Sequence, residues 1–100
     1  MSESLVALEE LLALSEAMVS AAAAEDWENL ASREAERRAL ADRLPADLTA
    51  SLAATAQPRA RLLIAACQRC EASIRPLVEA RLDDLRVVLR AVRGPALPLQ

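Results

Sequence analysis

Phenylalanine, tyrosine, histidine and lysine are absent from these 100 residues, and tryptophan and glycine occur once each. Each absence excludes something. Without histidine, lysine or tyrosine, the common general acids, bases and their activated nucleophiles are missing, so no enzymatic activity is expected. Without a glycine-rich loop there is nothing to cradle a phosphate, and no cofactor is expected. Few β-branched residues and a single glycine leave little material for strands and tight hairpins.

Long apolar runs are also lacking. The most apolar stretch, "LLALSEAMVSAAAA", contains Glu16 and is too short to span a bilayer. The start, "MSESLVALEE", lacks the basic region of a signal peptide. A cytoplasmic protein without membrane insertion is therefore expected, with Cys67 and Cys70 as reduced thiols.

What is present is helix-forming. Alanine (23) and leucine (18) dominate, so good helix formers fill most positions and an all-α fold follows. All twelve basic residues are arginine, and the net charge is −3. Residues 1–50 carry eleven acids and four arginines, whereas residues 51–100 carry four acids and eight arginines. The two halves can pair within one bundle, or the second can present a basic face to an acidic partner.

The pattern predicts a small antiparallel helical bundle of three main helices. Leu5, Leu8, Leu12 and Val19, with Leu11, Leu14 and Met18 alongside, give the first helix a wide apolar stripe. Carried past Glu25–Asp26, both seams run into polar residues, while apolar side chains resume in another frame at Trp27 and Leu30. A break there resolves the conflict, with Asp26 as N-cap of a second helix over 27–44. Trp27 opens that helix and is expected to anchor the core at the junction. Pro45 ends it. Residues 46–56 hold either one short helix, with Leu48 and Leu52 on one side, or a packed loop.

Pro58 suits the first turn of a third helix over 58–93. Its apolar face reads Leu63, Cys67, Cys70, Ile74, Val78, Leu82, Leu85, Leu89 and Val92. Pro76 interrupts the middle, but the ladder continues across it in steps of four. One helix kinked at Pro76 is predicted, rather than two helices. Residues 1–94 then form a single bundle domain and 95–100 an extended tail after Gly94.

"CQRC" has a redox or zinc look, yet both cysteines fall mid-helix on the apolar face, and no histidine is available to complete a zinc site. They read as small core hydrophobes. Two chains donating two thiols each would be needed for a metal, which leaves a metal- or redox-sensing regulator as a remote alternative. Nucleic-acid binding is not expected. Asp83 and Asp84 interrupt the arginines of the third helix, and a net acidic chain with one aromatic lacks the required footprint. Function must therefore lie in surfaces, because the long third helix carries more apolar area than two shorter helices can cover.

The order of three segments resembles the FliT-type flagellar export chaperones. They are "LSEAMVSAAAAEDWENL", then "REAERRALADRL", then a long helix ending in "LVEARLDDLRVVL". Asp26-Trp27 matches the acid-Trp pair that opens the family's second helix, and Arg81-Leu82-Asp83-Asp84-Leu85 matches the run that ends its long helix. The resemblance covers roughly residues 5 to 93. It implies a small cytoplasmic chaperone of type III flagellar export. Such a chaperone holds the C-terminal segment of the filament-capping protein and delivers it to the export ATPase complex and export gate. In some relatives it also binds the flagellar master transcription regulator and lowers its activity.

One departure stands out. Relatives with a fourth helix carry it after the long helix, over the client groove, whereas "GPALPLQ" is too short and proline-rich for one. The groove is then expected to be open or covered by a second copy, which puts the regulator's role in question. The expected mode is helix-in-groove binding. The candidate partner-binding residues are Leu63, Cys67, Cys70, Ile74, Leu77, Arg81, Leu82 and Leu85 on the long helix, with Trp27 and Leu30 nearby. Arg81, Arg86 and Arg90 are candidates for steering an acidic partner. The alternative of a different class is a homodimeric helical interaction module with no export client.

Overall fold

The computed structural model describes residues 3–93 of the chain. They form α1 (Glu3–Ala23), α2 (Trp27–Asp42), a single turn α3 (Leu48–Ser51) and α4 (Gln57–Arg93). No strand occurs among the described residues, and the fold is an all-α helical bundle with one helix much longer than the rest. The tail expected over 95–100 lies outside the described residues.

The α1–α2 junction is built from local rules. Glu25 adopts a left-handed conformation with φ of 58°, the position at which a helix usually places glycine. The Asp26 N–H donates to the Ala21 carbonyl (2.8 Å), and the Glu25 N–H donates to Ala22 (3.1 Å). Those two bonds close α1 as a Schellman turn. Asp26 then caps α2, its carboxylate accepting from the Asn29 N–H at 3.2 Å. One residue thus ends a helix and starts the next, and the reversal needs no longer loop.

The second helix stops at Asp42, slightly before the expected Leu44. The Arg43 and Leu44 amides turn back to carbonyls three residues earlier, which tightens the last turn ahead of Pro45. Of the two alternatives for residues 46–56, the short helix is present, and Leu48 and Leu52 are both buried. The long helix begins at Gln57, with Pro58 in its first turn. It runs without a break through Pro76 to Arg93, as one helix rather than two. Pro76 and Ala72 both lie on the solvent side, where water can take the hydrogen bond that proline cannot make.

Helix α1 sits in the middle. It packs along both α2 and α4, whereas α2 and α4 meet only marginally if at all, and α3 lies on the start of α4. Leu8 packs with Leu63, and Met18 packs with Ile74, so α1 and α4 run in the same direction and α2 runs back between their ends. The core has two centres. The lower one gathers Leu8, Leu48, Leu52, Ala60 and Leu63. The upper one gathers Met18, Ala21, Ala22, Leu30 and Ile74, with Trp27 and Val78 packed on it. Each fully buried leucine contributes about 1.5–3 kcal/mol. Between the acidic and basic halves, Arg59 pairs with Glu9 at 3.4 Å, with both side chains exposed. Charge between the halves therefore contributes little to holding the bundle together.

Beyond Val78 the supporting helices run out. Every residue from Glu79 to Arg93 is exposed, so the last fifteen residues of α4 project as an arm of about 22 Å at 1.5 Å per residue. Among the described residues no helix is long and apolar enough to cross a membrane.

Candidate functional site

Because α2 and α4 both pack on α1 and hardly on each other, a groove opens between them with α1 as its floor. Its volume is about 630 Å³. Leu11, Ser15 and Met18 form the floor. Trp27, Leu30 and Ala31 form the α2 wall, and Ile64, Cys67, Ile74 and Val78 the α4 wall. Both walls are topped by charge: Glu34 and Arg37 on one side, Glu71, Arg75 and Glu79 on the other.

The polar groups of the floor and of the α2 edge are held locally. The buried Ser15 hydroxyl donates to the Leu11 carbonyl of its own helix at 2.8 Å, so the floor presents no unsatisfied donor. Arg37 grips Glu34 in a fork, Nε to Oε1 at 2.9 Å and Nη2 to Oε2 at 3.0 Å, and Arg38 adds a bond at 3.0 Å. The Arg37 hydrogen bond holds the Glu34 carboxyl below its usual range, and Glu34 in turn pushes the Arg37 guanidinium up. The α2 edge of the groove thus carries a fixed pair of opposite charges, ionised at neutral pH.

Burial pushes both thiols up, Cys67 and Cys70 alike, so each is a protonated and weakly nucleophilic group at neutral pH. They do not share a site. Cys67 faces the groove, whereas Cys70 lies on the other flank of the α1–α4 seam, in a shallower hollow of about 330 Å³ with Leu12, Val19 and Ala66. Among the described residues no cluster of three or more potential metal ligands occurs.

The sequence-predicted residues fall into four places. Trp27, Leu30, Cys67 and Ile74 line the groove together. Leu63 is 2% exposed and belongs to the lower core. Cys70 sits on the opposite flank. Leu77, Leu82 and Leu85 are exposed at the base and along the arm, and Arg81 lies over Trp27 with its guanidinium carbon 5.9 Å from the ring centre. Of the other arginines proposed to steer a partner, Arg86 is held by Asp83 at 2.6 Å and Arg90 is exposed. The floor residue Ser15 and the charged rim were not singled out as site residues. A serine inside an otherwise apolar stripe was the available signal for the first. The rim has none, because its residues carry the same pattern as any solvated helix face.

A groove of this shape, apolar below and charged at its edges, defines the class as an all-α helical bundle with an open surface groove. The family model described as "Flagellar protein FliT" matches residues 5–94. The chain belongs to the FliT family of flagellar export chaperones, which places it in flagellum biogenesis. No curated protein and no solved structure matches it.

Proposed function

We propose that this chain is a cytoplasmic chaperone of flagellar protein export that holds the C-terminal segment of the filament-capping protein as a helix between α2 and α4. Family membership supports the flagellar role, and the open groove over α1 is the observation that carries the binding mode. A client helix with one apolar face would rest on Met18, Leu30, Ile74 and Val78 and set its polar face between Glu34–Arg37 and Arg75–Glu79. Cys67 contributes as a small apolar surface. Leu63, enclosed in the core, and Cys70, on the far flank, have no part in this groove. The role is non-enzymatic, and the occupied chaperone then presents its cargo to the export ATPase complex and export gate. Contact with the flagellar transcription regulator is a further family role for which the groove offers no separate support.

The test fills the groove without touching the core. Ala31 lines the groove and is exposed, so Ala31→Phe adds bulk at the α2 wall, while Ala35→Phe places the same ring on an exposed position outside the groove. Titration with a C-terminal fragment of a capping protein should show at least tenfold weaker binding for Ala31→Phe and little change for Ala35→Phe. Equal binding by both variants would overturn the groove, and no binding by the unaltered chain would overturn the client.

A further inference from the structure

The α4 wall of the groove carries a charge inside its apolar row. The lining residues of that wall step by threes and fours through Ile64, Cys67, Glu71, Ile74 and Val78. An aliphatic side chain at 71 would continue the row and hold any amphipathic helix equally well. A carboxylate there gives up apolar surface, so the position discriminates between occupants rather than strengthening all of them. Arg75 and Glu79 follow at one-turn steps, and the three together run acid, base, acid over about 12 Å of helix.

The two walls differ in what their charges are free to do. On the α2 wall both oxygens of Glu34 accept from Arg37 and Arg38, so that group is closed upon itself. On α4 the side chains of Glu71, Arg75 and Glu79 are exposed, and among the described residues none of them makes a hydrogen bond or an ion pair. Solvated pairs along their own helix would compete only weakly with a partner's charge. Glu71 is near enough to Arg37 across the groove to favour the charged guanidinium, without bonding to it.

An alternating row has one good alignment. A helix carrying base, acid and base at the same one-turn spacing meets an opposite charge at each step. Slipped by one turn, it meets a like charge at both positions that remain opposed. The row is the same from either end, so it sets the register of an occupant and not its direction.

Resting on the reading of the groove as a helix-binding site, we propose that Glu71, Arg75 and Glu79 decide which helices enter it. The groove takes amphipathic helices whose flank toward α4 presents a basic, an acidic and a basic side chain one turn apart. Helices of the opposite order are turned away by like charges, although their apolar faces would fit.

Two helical peptides of about four turns, stapled on the solvent face and sharing one leucine seam, probe this with the full chain. One carries Lys, Glu and Lys at one-turn steps beside the seam, and the other Glu, Lys and Glu. The first should bind about tenfold more tightly, the sum of three exposed pairs. Glu71→Arg with Arg75→Glu leaves the net charge at −3 and should invert the preference, which overall attraction cannot do. Asp84→Arg with Arg90→Asp, on the arm, also keeps the net charge and should leave the preference as it was. Ala31→Phe should weaken both peptides. The same preference in the exchanged wall, or no preference in the unaltered chain, would overturn this inference and leave the groove standing. Binding of neither peptide, or binding indifferent to Ala31→Phe, would overturn the groove and the inference with it.

Discussion

Arg81 lies over the face of Trp27, its guanidinium carbon 5.9 Å from the ring centre, and so ties the base of the arm to the first residue of α2. At a half-exposed site such a cation–π contact contributes about 0.5–1 kcal/mol. Arg81→Ala should lower stability by no more than that, whereas Trp27→Ala should cost about 3 kcal/mol by stripping a large side chain from the upper core. Trp27 is the only aromatic residue, so the emission comes from this site alone. Arg81→Ala should shift that emission to longer wavelength while the circular dichroism stays constant.

Two substitutions at the junction should move stability in opposite directions. Glu25 holds a left-handed backbone that glycine adopts without the steric cost, so Glu25→Gly should raise stability by about 0.5–1 kcal/mol. Asp26→Ala removes the cap on the Asn29 N–H and should lower it by about 1 kcal/mol. Urea unfolding followed by circular dichroism measures both. Equal effects of one sign would mean that the junction does not govern the bundle.

The thiols offer a label for the two flanks. Burial raises both, so alkylation should be slow at neutral pH and quicken only as the pH rises beyond the ordinary thiol range. A helix seated in the groove should slow modification of Cys67 further and leave Cys70 unchanged. Mass spectrometry of the two modified peptides separates them. Protection of Cys70 instead would place the occupant on the other side of α1.

Much of the fold was legible because helix ends follow local rules. The change of apolar frame at Trp27 located the junction, and Pro45 and Pro58 marked where helices stop or begin. The arrangement of the helices was not legible. Periodicity tells which face of a helix is apolar but not which neighbour covers it. One ladder on α4 therefore combined Leu63 in the core, Cys67 in the groove, Cys70 on the far flank and Leu85 on the arm. Those four differ in the helices that surround them, which depends on α1 lying in the middle. Glu34 and Arg37 were legible as a pair, because the spacing of three places them on one face. Their place at the rim was not, since only the α2–α4 gap gives that face an edge.

The walls of the groove are unequal. Helix α4 continues far past the bundle, but the α2 wall runs only from Trp27 to Arg37, about 16 Å at 1.5 Å per residue. The shorter wall is a ruler. A helix of roughly three turns is flanked on both sides along its whole length. Anything longer leaves the bundle held on one side only.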